Sequence, residues 1–391
     1  MEISVLLILW IAILIAFVMI NGGYYLYLHI VSRRKWNIAK NENYVPNVTI
    51  IVPFYNESNI ITLKLENLAK LKYPREKLQI ILVNDASTDD SLDRVLRYKE
   101  LSPYEFVVVN NYAHSGKVES LNRALLYAKG DIIVITDADT FLSPDILYRT
   151  MPYFADSSIG AVISREELIK PDISWVSKTE KKYFDLVYGL VKVAQSKVHS
   201  TIIFHGGFAA YRRSVLKNFN VKSDDSGTAL DIVQSGKRTI LVPEAVSYCF
   251  EFLMWKDKFK IKVRRAMHNI QIWLRCLRLL FKRKLRLPAR IAVPEIFLYI
   301  FNPLILLFLL AAGIVLSINY PLVMLIALLL FIFVFVFPKS RLFFIEFIQN
   351  NVFLLCAMVF LFFKRKIVRW KTIQNPRKLI KREMLQNYGL V

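Results

Sequence analysis

The sequence contains little cysteine, and this scarcity limits the kinds of protein it can encode. Three cysteines (Cys249, Cys276 and Cys356) occur in 391 residues, and their spacing matches no metal-binding pattern. An odd, scattered set of thiols argues against a disulfide framework and favours a reduced compartment. The sequence also lacks internal repeats and low-complexity segments. At this length, the chain can hold two or three domains.

Charged side chains are absent from residues 3–31. A stretch of this length can span a bilayer with some tilt. A secretory signal peptide is the alternative, but its apolar core is shorter and a small-residue cleavage site follows it. Tyrosines near the end of the stretch match an interfacial aromatic belt, and the basic residues 33–35 follow. We therefore predict a membrane anchor over residues 1–35, and the positive-inside rule places the next domain in the cytoplasm.

The net charge of +22 raises the question of a nucleic-acid partner. The excess charge is concentrated in two segments, however. Residues 256–290 contain thirteen Lys and Arg and one acid, and residues 364–382 contain nine basic residues and no acid. Both segments flank strongly apolar stretches, where basic side chains bind anionic lipid headgroups and fix topology. We therefore expect membrane lipids as a partner, and no nucleic acid.

Residues 48–136 alternate between β-branched runs and segments with helical spacing. Helices are predicted at 57–70 and 115–128, and strands at 48–53, 78–83, 106–109 and 131–136. This alternation predicts an α/β domain with a Rossmann-like, mostly parallel sheet and helices on both faces. In such sheets, ligands bind beyond the carboxyl ends of the strands.

The segment DIIVITDADT, residues 131–140, carries the clearest signal for chemistry. Its apolar run predicts a strand buried on both faces, and this strand ends at Asp137 and Asp139. Two hard oxygen ligands suit Mg²⁺ or Mn²⁺, which bind through one or two carboxylates plus substrate phosphates. A solvated acidic turn is the alternative interpretation.

The other predicted strands also end in residues suited to ligand binding. The first strand ends at Pro53 and is followed by Tyr55 and Glu57. The second is followed by Asp85, and the third by a helix that opens near Lys117. A nucleotide diphosphate needs a ring to stack on its base, an acid for base or ribose donors, and a cation for its phosphates. These residues therefore predict a nucleotide site at one edge of the sheet.

The motifs resemble those of glycosyltransferase family 2, whose catalytic domain has the GT-A fold. The resemblance lies in VPFYNE at 52–57, VNDASTD at 83–89, GK at 116–117 with LNRAL at 121–125, and TDAD at 136–139. Further along, GGFAAYRR at 206–213 is similar to the acceptor-side segment of that family. Asp224-Asp225, followed by Gly236 and Pro243, is similar to its catalytic acidic motif. The resemblance covers residues 48–271 and implies a GT-A domain over 46–250.

The resemblance implies a role for each matching side chain. Asp85 is expected to contact the base, and Lys117 the base or the phosphates. Asp137 is expected near the ribose or the metal, and Asp139 as a ligand of the Mg or Mn ion that bridges the diphosphate. Asp225 is the expected general base, which takes a proton from the acceptor hydroxyl during an inverting attack on the anomeric carbon.

Two departures separate the sequence from processive members of the family, such as cellulose, chitin and hyaluronan synthases. Those enzymes carry Gln-x-x-Arg-Trp on an interfacial helix, whereas residues 261–266 (IKVRRA) offer only an arginine, Arg264 or Arg265. Arg264 could still bind the diphosphate. The acidic motif is Ser223-Asp224-Asp225 instead of Thr-Glu-Asp. We therefore place single sugar transfer before long-chain synthesis.

The remaining sequence predicts membrane association. Apolar residues that recur every three or four positions between cationic faces predict amphipathic interface helices over 251–290, with a surface helix as the alternative. Apolar segments at 296–318, 322–337 and 342–363 predict a transmembrane region over 291–363, followed by a basic cytoplasmic tail over 364–391. Three crossings would place that tail outside, contrary to the positive-inside rule. The third segment is interrupted by acid and amide side chains, so it is a candidate re-entrant or interfacial segment.

The resemblance and the membrane segments together imply a metal-dependent, inverting glycosyltransferase in the cell membrane, with a cytoplasmic catalytic domain. The expected donor is a nucleotide-sugar, with UDP-hexose and UDP-N-acetylhexosamine first, and the expected acceptor is a lipid-linked glycan. A processive polysaccharide synthase that exports its product is one alternative. A non-catalytic nucleotide-binding membrane module is the other.

Overall fold

The computed structural model describes residues 3–101, 106–169, 174–220, 223–250, 254–321, 323–325, 332, 336, 338–363 and 380–391. These residues form two compact units. The helical unit comprises the described parts of Met1–Arg33 and Trp255–Ile367. The α/β unit comprises the described parts of Arg34–Met254 and Val368–Val391.

An eight-stranded sheet, as far as the chain is described, forms the framework of the α/β unit. Its strands are β1 (Val48–Phe54), β2 (Leu78–Asn84), β3 (Phe106–Asn110), β4 (Ile132–Ile135), β5 (Thr140–Leu142), β6 (Ile159–Leu168), β7 (Ala209–Arg212) and β8 (Arg238–Cys249). Their order is β3-β2-β1-β4-β7-β6-β8-β5. Strands β1 to β4 pair in parallel, whereas β7 runs antiparallel to both β4 and β6. The predicted mostly parallel sheet is confirmed.

Two apolar layers cover the sheet. Successive side chains of a strand point to opposite faces, so Ile50 and Val52 enter one layer while Ile51 enters the other. Every residue of β1, β2 and β4 is buried. Burial on both faces explains why these strands appear in the sequence as continuous apolar runs.

Along the chain, the helices of the α/β unit alternate with groups of these strands. They are α2 (Ile61–Ala69), α3 (Ser91–Leu101), α4 (Lys117–Ala124), α5 (Ile146–Thr150), α6 (Trp175–Leu186), α7 (Lys192–Val198) and α8 (Ser226–Gln234). The helix predicted from Ser115 begins at Lys117, because Gly116 has a φ of 94° and the Ser115 hydroxyl donates to Asp85 instead of capping the helix.

Residues 380–391 pack against the α/β unit. Leu385 and Leu390 are fully buried in a cluster with Ile60 and Phe141. The Asn67 side chain also donates to the Leu390 carbonyl over 2.8 Å. Part of the predicted tail is thus a structural element of the α/β unit, and it includes a short helix, Arg382–Gln386. Residues 364–379 of that tail lie outside the described residues.

The helical unit contains α1 (Ile3–Ser32), α9 (Trp255–Phe281), α10 (Ala289–Ile296), α11 (Asn302–Asn319) and α12 (Pro338–Phe362). In the described part of the chain, three helical segments are long and apolar enough to cross a membrane: Val5–Ser32, Ala289–Asn319 and Phe344–Phe362. The predicted segment 322–337 lies mostly outside the described residues. One continuous helix, α9, occupies the predicted interface region, and its apolar face packs against α12.

Polar side chains within the helical unit bind one another across helices. Lys258 on α9 donates to Glu346 on α12 over 2.7 Å. Asn302 accepts from Asn21 at 2.8 Å and donates to Asn351 at 3.1 Å. Such contacts stabilise helix packing in a medium without water. They account for the polar residues that interrupt the third apolar segment.

Candidate active site

The loops after β1 and β2 hold each other in place. Asn56 and Ala86 adopt left-handed backbone, with φ of 53° and 57°. This conformation costs an ordinary residue roughly 1 kcal/mol or more. Hydrogen bonds between the loops offset the cost. The backbone N–H of Asn56 donates to Ser87 Oγ over 3.0 Å, and the backbone N–H of Thr88 donates to Asn56 Oδ1 over 2.8 Å. The two strand ends therefore form a fixed rim.

Asp85 is fully buried behind this rim. Its carboxylate accepts from the amides of Ser115 and Gly116 at 2.9 and 2.8 Å, and from Asn111 Nδ2 at 2.9 Å. His114 Nδ1 lies 2.8 Å from Asp85 Oδ2. Burial favours the protonated acid, but these hydrogen bonds outweigh it and lower the pKa of Asp85. Asp85 thus fixes the loop that leads into α4, and its contact with a base stays a prediction.

An aromatic pair lies at the same rim. The rings of Tyr55 and His114 are 4.1 Å apart at an angle of 30°. Pro53 is buried within β1, and Glu57 is 1% exposed, with its amide donating to Ser91 Oγ. Tyr55 and His114 are therefore the more accessible groups here. Contact of Pro53, Tyr55 and Glu57 with a nucleotide stays a prediction.

Lys117 joins acids from two distant parts of the chain. Its Nζ lies 2.8 Å from Asp137 Oδ1 and 2.8 Å from Asp224 Oδ2. Burial of the ammonium is unfavourable, but Asp137, Asp224 and Asp225 together raise the pKa of Lys117. The side chain is therefore a cation. It brings together the acidic segments after β4 and before α8.

Asp225 lies at the N-terminus of α8, next to this ion-pair cluster. Within the described residues, its Oδ1 atom is buried and accepts no hydrogen bond. Burial, followed by the nearby Asp224 charge, raises the pKa of Asp225 to about 8, while Lys117 opposes the shift. A carboxylate with a free lone pair and increased basicity is suited to accept a proton.

Asp137 and Asp139 lie in one turn after β4. Burial raises the pKa of Asp137 above its ordinary value, and Lys117 opposes this shift. In the part of the chain that the structure describes, no group of three or more His, Cys, Asp or Glu could hold a metal ion. A Mg²⁺ or Mn²⁺ site, however, needs only one or two carboxylates when substrate phosphates complete the coordination. The turn fits a cation that binds together with a diphosphate.

Gly206 allows a close approach to this turn. Its carbonyl accepts from the Asp137 amide over 3.0 Å. A Cβ atom at Gly206 would lie 2.6 Å from Lys117 Nζ and would collide with Asp137 Oδ2. Only glycine therefore fits without displacing the charged side chains.

Gly206→Ala is expected to lower kcat/KM in the reaction proposed below by roughly 10- to 100-fold, because it displaces the charged groups of Asp137 and Lys117. Gly189→Ala is the matched control, since a Cβ atom there meets nothing within 4 Å. Steady-state kinetics and thermal unfolding of both variants check this expectation. Wild-type kcat/KM in Gly206→Ala would contradict it.

The sequence analysis does not single out Glu166 and Lys64, two side chains that the fold brings to this site. Glu166 on β6 lies 3.1 Å from His205 Nδ1 and accepts from the Tyr188 hydroxyl over 2.7 Å. Its charge also contributes to the raised pKa of Asp225. Lys64 on α2 is buried close to Asp137 and Asp139. Helical spacing places Lys64 on the apolar face of α2, four residues after Ile60 and four before Leu68, but only the tertiary fold brings either residue to the acidic turn.

Arg264 lies in α9, within the helical unit. Its predicted contact with the diphosphate stays a prediction.

Comparison with known proteins identifies the α/β unit. A family model described as glycosyl transferase family 2 matches residues 49–219. The probable glycosyltransferase YdaM of Bacillus subtilis is 24% identical over 71% of this chain and 67% of its own length. The poly-beta-1,6-N-acetyl-D-glucosamine synthase of Staphylococcus aureus is 28% identical over 50% of this chain. That match spans only 47% of the synthase.

A solved structure extends the similarity over most of the chain. The mannosyltransferase PcManGT from Pyrobaculum calidifontis, in complex with GDP-Man and Mn²⁺, superposes with a TM-score of 0.77 and 29% sequence identity. The alignment covers 93% of this chain and 100% of that one. The chain therefore carries a glycosyltransferase family 2 domain with the GT-A fold, as its sequence motifs predict.

Proposed function

We propose that this protein is a membrane-bound, metal-dependent, inverting glycosyltransferase, which moves a sugar from a nucleotide-sugar to an acceptor at the membrane. The observation that carries the proposal is the charge cluster of Lys117, Asp137 and Asp224, with Asp225 beside it. This cluster offers a cation for phosphate, acids for a metal, and a separate acid with a free oxygen. These are the groups that sugar transfer from a nucleotide diphosphate requires.

Most of the residues at this site would bind the donor, and a separate residue would act on the acceptor. Asp139 and Asp137 would hold a Mg or Mn ion together with the diphosphate, and that ion would neutralise the charge of the departing nucleotide. Lys117 would contact the same phosphates. The fixed rim at Tyr55 and Asp85 would bound the nucleotide end of the site.

Asp225 would start the chemical step. Its Oδ1 atom accepts the proton of the acceptor hydroxyl as the hydroxyl oxygen bonds to the anomeric carbon. The bond from that carbon to the diphosphate oxygen breaks, and the nucleoside diphosphate leaves with the electron pair. Attack opposite the leaving group inverts the anomeric configuration.

The donor base and sugar are the finer part of the proposal. UDP-hexose and UDP-N-acetylhexosamine are the first candidates from the sequence motifs. The similarity to a mannosyltransferase in complex with GDP-Man supports GDP-mannose as well. A donor screen therefore needs both nucleotide classes.

The acceptor is proposed to be a lipid-linked glycan at the cytoplasmic face of the cell membrane. The basic residues 33–35, directly after the helix α1, support a cytoplasmic α/β unit. Residues 380–391 pack against that same unit, so the chain would cross the membrane an even number of times between Met254 and residue 380. Among the described residues, α10–α11 and α12 are two candidate spans that meet this condition, while the apolar segment 322–337 lies mostly outside the described residues.

The test is donor hydrolysis and transfer by the full-length protein in detergent or nanodiscs. UDP-glucose, UDP-N-acetylglucosamine and GDP-mannose are each offered with a polyprenyl-linked sugar acceptor and with Mn²⁺, Mg²⁺ or EDTA. We expect one donor to release nucleoside diphosphate only with a divalent cation, and we expect excess Mn²⁺ to restore the activity that EDTA removes. Donor binding without turnover would instead favour a non-catalytic nucleotide-binding module.

A processive synthase is the second candidate, and the similarity to the Staphylococcus synthase favours it. The missing Gln and Trp around Arg264 favour single transfer. Product length distinguishes the two functions. A ladder of long chains from the purified enzyme would replace the single-transfer proposal.

A further inference from the structure

The helix α2 places a buried lysine behind the acidic turn. Lys64 is fully buried. Its Nζ donates to Thr136 Oγ1 over 2.9 Å and also to the Thr140 carbonyl. Thr136 immediately precedes Asp137, and Thr140 immediately follows Asp139. One amine thus ties together the two ends of the turn that carries both acids.

The contact continues beyond the turn. Thr136 Oγ1 accepts from Lys64 and donates to the Gly207 carbonyl over 2.7 Å. Gly207 follows Gly206, whose carbonyl accepts from the Asp137 amide. Lys64 therefore anchors the turn to the neighbouring glycine segment as well as closing it.

Burial of this lysine is unfavourable by itself. In the described part of the chain, no carboxylate forms an ion pair with Lys64, and burial lowers its pKa to about 7 although Asp137 and Asp139 oppose the shift. An apolar side chain would fill the same space without the loss of hydration. It could not, however, make the two hydrogen bonds that close the turn.

We infer that Lys64 is a positioning residue for the divalent cation, since it holds Asp137 and Asp139 in the geometry in which they bind the ion with the diphosphate. This inference rests on the proposed function. Lys64 touches neither the ion nor the substrate. It acts through Thr136 and Thr140, as the outer partners of metal ligands do.

Asn67 provides a matched control on the same helix. It is also fully buried, and it makes paired hydrogen bonds with the backbone of Leu142, at 2.8 Å to the amide and 2.9 Å to the carbonyl. These bonds hold β5 beyond the turn, not the turn itself. A purely structural role predicts similar effects from Lys64 and Asn67, whereas a positioning role separates them.

The experiment measures Mn²⁺ binding directly, by the loss of the free-ion electron paramagnetic resonance signal, with full-length protein and either GDP or UDP. Lys64→Met and Thr136→Val each remove the tie, and each is expected to raise the Mn²⁺ dissociation constant about tenfold, whereas Asn67→Leu should leave it within about twofold. Thermal unfolding is recorded in parallel. All three variants are expected to melt below the wild type.

Three results would overturn the inference. The first is a wild-type dissociation constant in Thr136→Val, which decides the matter even when Lys64→Met does not fold. The second is an equal shift in Asn67→Leu, which would make Lys64 a purely structural residue. The third is wild-type protein that binds no Mn²⁺ with either nucleotide, and that result alone would also remove the metal from the proposed function.

Discussion

Asp225→Asn is expected to lower kcat for sugar transfer about 10²- to 10⁴-fold, the usual contribution of a general base. The amide keeps the size of the side chain but cannot take the acceptor proton. Donor binding and the dependence on a divalent cation should persist, because Asp139 and Lys117 remain. Turnover is measured as nucleoside diphosphate release, and donor affinity by calorimetry. Unchanged turnover would remove Asp225 as the base.

The pH dependence provides a second measure of the same residue. Asp225 accepts a proton only when it is ionised, and burial raises its pKa to about 8. Therefore kcat/KM should fall as the pH drops through this pKa, at or below about pH 8, because a bound cation nearby lowers the value. Asp224→Asn is the control. It alters the neighbouring acid, which already binds Lys117, and it should retain the acidic limb but move it to lower pH, because the Asp224 charge helps to raise the pKa of Asp225.

Lys117→Met is expected to have the second large effect. It leaves Asp137, Asp224 and Asp225 close together without their cation, so the pKa values of Asp137 and Asp225 should rise, and the proposed contact with the phosphates is lost. We expect kcat/KM to fall at least about 10²-fold, in line with the loss of one preorganised electrostatic contact. We also expect the free energy of unfolding to fall by about 1–3 kcal/mol. This loss is smaller than for a fully buried ion pair, because these side chains are partly exposed.

Two control variants distinguish the effect of the lost Lys117 charge on activity from an effect on folding. Lys117→Arg keeps the cation and should recover part of the activity, while Lys70→Met changes an exposed lysine at the end of α2 and should change neither property. Donor kinetics at saturating Mn²⁺ and thermal unfolding give the two readouts. The assignment fails if Lys117→Met retains wild-type kcat/KM.

Strands β1 to β4 were predictable because burial on both faces demands continuous apolar runs, and each strand ends in a polar motif. The later strands were not. Strand β5 has only three residues, and β6 carries Arg165, Glu166 and Glu167 beside a register shift in its pairing with β8. These features remove the apolar pattern that a single sequence can reveal.

The candidate site, like the sheet, could be predicted only in part. Asp137, Asp139 and Lys117 stand at the ends of predicted elements, so their position follows from the parallel sheet. The surroundings of Asp85 depend on Asn111 and on the loop before α4, which no periodicity predicts. The burial of Lys64 could be predicted, because it lies on the same helix face as Ile60 and Leu68, but its contact with the acidic turn could not. Contacts of this kind arise only from the tertiary fold.

The segment 380–391 completes the α/β unit from the far end of the chain, and this arrangement bears on how the domain can be excised. The polypeptide leaves the unit at Met254 and has returned to it by residue 380. A fragment that stops at Met254 would uncover Ile60 and Phe141, two side chains that are fully buried in the intact protein. A soluble version of the domain therefore calls for a linker that joins residue 254 directly to residue 380.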